Sequence, residues 1–190
     1  MTTTPILLRP RRFEDTRGWF SETYSKATAA AAGIGLTFVQ DNQSFSAATG
    51  TVRGLHFQRP PHAQAKLVRC TRGSIIDYAV DIRRGSPTYG RFVSARLTAE
   101  GGEQILLPVG FAHGFVTLEP DVEVAYKVTD FYAPECDGGL IWNDPDIGID
   151  WPLPASGASL SEKDAALPRL AELDSPFEYD GAPLEPIPEL

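Results

Sequence analysis

Proline and glycine interrupt this chain along almost its whole length. Sixteen prolines and seventeen glycines are spread through 190 residues, and they leave little room for long helices. The stretches between them are short and rich in β-branched, aromatic and other apolar residues. Segments 52–57, 67–70, 75–82, 90–97, 103–107, 114–118 and 122–128 read as strands. Polar or glycine turns separate them at short intervals, a pattern that predicts an all-β sandwich or barrel. One helix is expected over 26–32, capped by Ser25 and ended by Gly33. A second short helix is expected after Ser161, because Ser161 is followed three residues later by Asp164. From Asp144 onward the prolines crowd, and this tail is expected to wrap the barrel as irregular chain. No linker divides the sequence, so a single domain over 1–190 is expected.

Composition narrows the function classes. The formal net charge of −8 argues against general nucleic-acid binding, which draws on a basic excess. It still allows an anionic small ligand held by a few gathered cations. No apolar run reaches the ~18 residues of a membrane span, and the stretch from Met1 to Pro10 has no secretory pattern. Cys70 and Cys136 make no disulfide framework and fit a reducing cytoplasm.

Only three histidines are present: His56, His62 and His113. His113 ends Pro108-Val109-Gly110-Phe111-Ala112-His113, which looks like the second cupin motif, P-x-G-x-x-H. In that motif a tight turn aims the histidine into a barrel. His56 follows Gly50 at the spacing of the first cupin motif. There a metal-binding cupin would continue with a second histidine and a glutamate. Gln58 stands at the second-histidine position, and Lys66 precedes Gly73 where the glutamate would be, with a longer gap from His56. An ammonium donates and cannot ligate a cation. The pattern therefore reads as a cupin barrel whose metal site is lost, with no metal and no cofactor expected.

Such a barrel can still move protons if it holds a base, an acid and a group that steadies negative charge. His56 is the natural base, since imidazole ordinarily titrates near neutrality. A buried carboxylate could orient it, Asp164 being one of several candidates. Tyr126 could return a proton from the opposite side, and Lys66 could hold a developing enolate. Arg17 and Arg53 could clamp phosphates through planar bidentate contacts.

The ordered set of blocks resembles the dTDP-4-dehydrorhamnose 3,5-epimerase family of dTDP-sugar epimerases. The matching stretches include Phe13-Glu14-Asp15-Thr16-Arg17-Gly18-Trp19-Phe20, Gln40-Asp41-Asn42-Gln43-Ser44, Val52-Arg53-Gly54-Leu55-His56-Phe57-Gln58 and Gln64-Ala65-Lys66-Leu67. They continue with Gly110-Phe111-Ala112-His113-Gly114-Phe115, Tyr126-Lys127, Phe131-Tyr132-Ala133-Pro134-Glu135 and Leu160-Ser161-Glu162-Lys163-Asp164, and together span nearly the whole chain. The resemblance implies a jelly-roll cupin fold, a homodimer and no cofactor. It implies His56 as base held by Asp164, Tyr126 as acid, and Lys66 at the C4 oxygen of a 4-keto-6-deoxy sugar. Arg17, Phe20, Glu22, Gln40, Asn42, Arg53, His113, Tyr132, Asp137 and Lys163 would contact the nucleotide sugar. Two positions depart from the family pattern. Ala65 stands where glycine is usual, and Asp137 stands where glutamate is expected, its reach shorter by a methylene. Inversion at C3 alone and inversion at both C3 and C5 remain open on these grounds. A metal-dependent cupin enzyme and a non-catalytic sugar-binding cupin are the competing readings.

Overall fold

The computed structural model describes residues 3–187; of the domain expected over 1–190, positions 1, 2 and 188–190 lie outside the described residues. The chain opens with β1 (Ile6–Leu8), a hairpin of β2 (Phe13–Asp15) and β3 (Gly18–Phe20), and α1 (Lys26–Ala31). Eight strands follow: β4 (Gln40–Ser46), β5 (Val52–Gln58), β6 (Lys66–Arg72), β7 (Ser74–Asp81), β8 (Phe92–Thr98), β9 (Gln104–Leu107), β10 (Phe111–Thr117) and β11 (Val122–Val128). A short β12 (Asp137–Gly139) and α2 (Glu162–Ala165) complete the described elements apart from single turns of 3-10 helix. Two five-stranded sheets result, ordered β1-β9-β6-β11-β4 and β12-β5-β10-β7-β8, and their strand pairs run antiparallel. This is an all-β cupin jelly roll.

Period-two alternation builds the sandwich. On β7, Ile75 and Ala79 face the space between the sheets, while Tyr78 and Val80 face outward. The inner cluster takes Val68 and Cys70 from β6, Leu97 from β8, Ile105 from β9, Phe111 and Phe115 from β10, and Val122 and Val124 from β11. The outer face of the second sheet is covered by the proline-rich tail through Leu140, Ile147, Trp151, Leu170 and Phe177, as the sequence led one to expect. The outer face of the first sheet meets α1 and its flanks through Leu67, Leu106, Ile34 and Ala29.

The seven expected strands all form, with ends shifted by a few residues. Both expected helices form too. Ser25 Oγ accepts from the Thr28 N–H, and Ser161 Oγ from the Asp164 N–H, which satisfies N–H groups that a helix start leaves free. Four further features were not anticipated: β1, the β2–β3 hairpin, β12, and the polar edge strand β4.

Candidate active site

A cavity of about 460 Å³ opens between the sheets. Arg53 and His56 reach it from β5, Lys66 from β6, His113 from β10 and Tyr126 from β11. Lys163 and Asp164 reach it from α2. Seven of the expected residues thus line one cavity from both sheets and α2, some of them more than a hundred residues apart in sequence.

Close strand contact beside Gly54 helps set this arrangement. Gly54 has φ +127°, and a Cβ there would lie 2.5 Å from Gly114 Cα and 2.7 Å from the His113 carbonyl oxygen. Only glycine lets β5 and β10 approach this closely. The pairing shifts register just past this point, with His113 opposite His56 and Phe115 opposite Arg53.

His56 is bonded through Nε2 to Asp164 Oδ1 at 2.7 Å. The imidazole is partly exposed and the carboxylate is buried. Burial pushes the Asp164 carboxyl up, but its bonds from His56, the Gly54 backbone and Ser161 outweigh this and hold it below its ordinary value. An ionised carboxylate can only accept, so the hydrogen sits on Nε2 and Nδ1 keeps the free lone pair of the ring. Lys66 Nζ lies 3.5 Å from the His56 carbonyl oxygen. Burial pushes its pKa down to about 8, against an upward pull from Asp77 and Asp137. Burial raises the Tyr126 phenol, with Arg53 acting in the opposite sense. Arg53 is itself steadied by Ser46 Oγ at 3.1 Å and the Phe45 carbonyl at 2.8 Å.

The remaining expected residues fall into two groups. Asn42 lies opposite Tyr126 in the β4–β11 ladder, and Gln40 Nε2 donates to Asn42 Oδ1 at 2.9 Å. Gln40 Oε1 in turn accepts from the Tyr132 backbone N–H at 3.2 Å. Asp137 pairs with Lys163 and lies two residues before Gly139, the ladder partner of His56. None of these four lines the cavity itself, but they are linked to residues that do: Asn42 to Tyr126, and Asp137 to Lys163. Arg17, Phe20 and Glu22 lie elsewhere. Arg17 is spent on Asp15 within the exposed hairpin, Phe20 is 70% exposed, and Glu22 accepts from Thr28 Oγ1 beside α1.

Sequence reasoning overlooked Asp77, Ser44 and Phe115. Asp77 is fully buried and accepts from His113 Nε2 at 2.8 Å. An acid in the middle of the apolar run 75–82, ahead of Asp81 at its end, was the available signal. Ser44 and Phe115 line the cavity. Among the described residues, no three His, Cys, Asp or Glu side chains gather in a way that could hold a metal ion. None of the described helices is long and apolar enough to cross a membrane.

With the geometry established, comparison with known proteins is informative. Residues 3–172 match the family model described as dTDP-4-dehydrorhamnose 3,5-epimerase. A protein of that name from Sinorhizobium fredii is 55% identical over 175 residues, covering 91% of this chain and 88% of its own. A crystal structure of the enzyme from Bacillus anthracis, with TDP and PPi bound, is 47% identical at a TM-score of 0.83, covering 86% of this chain and 92% of that one. A dTDP-6-deoxy-D-glucose-3,5-epimerase from Legionella pneumophila, in complex with dTDP-4-keto-L-rhamnose, is 42% identical at a TM-score of 0.86, covering 92% and 93%. A shared sequence over nearly the full length, a shared jelly roll and a cavity built from the same blocks agree: this chain belongs to the dTDP-4-dehydrorhamnose 3,5-epimerase family.

Proposed function

We propose that this protein inverts C3 and C5 of a dTDP-linked 4-keto-6-deoxy sugar by moving protons next to the ketone. The observation that carries the reading is the grouping of His56–Asp164, Lys66 and Tyr126 around one cavity. A C–H beside a carbonyl is acidified because its conjugate base is an enolate. His56 takes the C3 proton at the imidazole nitrogen left free by Asp164. Lys66 holds the oxygen that gains charge, where a desolvated ammonium acts more strongly than it would in water. Tyr126 returns a proton from the other face, and a second cycle acts at C5. Arg53, His113, Lys163, Asp137, Gln40, Asn42 and Tyr132 bind the nucleotide sugar, with the arginine suited to phosphate. The chemistry calls for no metal or cofactor.

The double inversion follows the names of the relatives, and the test is direct. In deuterated water the dTDP-4-keto-6-deoxyglucose substrate should take up solvent deuterium at C3 and C5, followed by NMR. An inverted product without solvent label would eliminate the route; label at C3 alone would reduce the activity to a 3-epimerase.

The working unit in this reading is a homodimer. Phe13, Trp19 and Phe20 are more than half exposed on the β2–β3 hairpin, and β4 is an open edge carrying exposed Phe45. Exposed strands and aromatic patches of this kind suit burial against a second copy. Arg17, Phe20 and Glu22 would then serve the cavity of the partner. Mixing inactive His56→Ala and Arg17→Ala chains should restore part of the activity through hybrid dimers; no restoration would remove the cross-subunit role. A cytoplasmic address is consistent with two free, buried cysteines.

A further inference from the structure

The cavity holds a second histidine–carboxylate pair, beside the first but set differently. His113 and His56 are ladder partners on β10 and β5. Asp164 comes from α2, whereas Asp77 comes from β7 and is completely shut off from solvent. Asp77 Oδ2 accepts from His113 Nε2 at 2.8 Å. Its other oxygen, Oδ1, is buried with no hydrogen-bond partner among the described residues. A carboxylate in such a place is costly to keep ionised unless opposite charge stands nearby. Burial raises the Asp77 carboxyl, His113 and then Lys66 pull it the other way, and Asp77 in turn raises Lys66.

Building on the proton-transfer reading above, we propose that Asp77 is a positioning residue, the counter-charge that keeps Lys66 an ammonium beside the ketone oxygen and the anchor that fixes the His113 ring. Three groups that can carry positive charge, Lys66, His56 and His113, border one cavity, and Lys66 and His56 both disfavour protonation of His113. Asp164 serves His56. Asp77 is bonded to His113 and acts on Lys66 by charge, without a direct ion pair. A hydrogen bond from Nε2 to a buried carboxylate sets the tautomer of His113 and stops the ring from turning. Removing the charge while keeping the shape should loosen both effects. The other charged or titratable groups lining the same cavity are Arg53, Tyr126 and Lys163, and Asp137 also acts on Lys66.

Asp77→Asn tests the idea. Expected is a kcat reduced about tenfold or more, with KM rising less, because His113 is one of several groups that bind the nucleotide sugar. The alkaline limb of the rate, which Lys66 sets, should move toward acid by about one pH unit or more. The His113 ring nitrogens, read by ¹⁵N NMR without substrate, should lose the fixed Nε2–H tautomer. A folded Asp77→Asn protein with an unmoved limb and an unchanged His113 spectrum would overturn the proposal, even with a lower kcat. Should that variant fail to fold, the wild-type protein decides. Lys66 already neutral at pH 7, or a His113 lacking hydrogen on Nε2, would overturn it as well. If the wild-type protein exchanges no deuterium into substrate, the epimerase reading fails; the resting spectra of His113 and Lys66 test Asp77 independently of turnover.

Discussion

The space between the two sheets has a filled part and a hollow part, and the same strands build both. On β6, Lys66 lines the cavity, while Val68 and Cys70 on the same face pack into the core. On β10, His113 stands between Phe111 and Phe115. On β11, Tyr126 continues the inward row of Val122 and Val124. On β7, Asp77 sits between Ile75 and Ala79. Each strand keeps its alternation and exchanges one inward apolar residue for a polar one. The scaffold and the chemistry are therefore written in one pattern, and they separate by position along each strand.

That separation can be broken by substitution. The largest effect is expected from the hollow part. His56→Ala should lose roughly 10²–10⁴ in rate, the usual contribution of a positioned acid–base group, with thermal unfolding little changed. Near-normal turnover would remove His56 from its role. Next comes the filled part. Ile105 is fully buried, and Ile105→Ala should cost about 2–5 kcal/mol of stability through lost contacts and a residual cavity. Denaturant melts would register that loss, while kcat of the folded fraction should stay near wild type. A rate collapse in a still-folded Ile105→Ala protein would mean that the two parts are not separable. The gentlest probe is pH. The proposed role of Lys66 requires the ammonium, and its pKa is pushed down to about 8. Activity should therefore be present below that value and decline as pH rises through it, half of it gone near pH 8. A rate that stays flat to pH 10 would exclude Lys66 as the oxyanion holder.

The filled part was the easier to read from sequence. Its strands carry β-branched and aromatic runs, and turn residues bound them, so existence and type were legible for all seven. What escaped had no such run. β4 reads Gln-Asp-Asn-Gln-Ser-Phe-Ser and is an edge strand open on one side, so its hydrogen bonding, not burial, makes it a strand. β1, β2, β3 and β12 have three residues each, too short for any alternation to register. In the hollow part, His56 and His113 stood out because histidine is scarce and both sit in recognisable spacings. The pairing of His56 with Asp164 bridges 108 positions; residue chemistry offered several carboxylates, and only the family resemblance singled this one out. Asp77 escaped because an acid in an apolar strand, here one of two with Asp81, does not say which way it points or what it meets. Arg17, Phe20 and Glu22 show the converse limit, since matching a motif does not bring a residue to the cavity of its own chain.

Asp164 rides on a helix of only four residues that belongs to neither sheet. Its own backbone joins no ladder; it is moored by the Asp164–His56 bond, the Lys163–Asp137 pair, the Ser159 bonds to Gly50 and Val52 just upstream and the Ile141–Pro168 bond a little downstream. Segments held through side chains and flanks rather than by a ladder of their own open at a lower free energy than the strands they lean on. Warming should therefore detach the carboxylate from His56 before the sandwich melts. Loss of turnover and loss of fold become two events at two temperatures, and the first reverses on cooling.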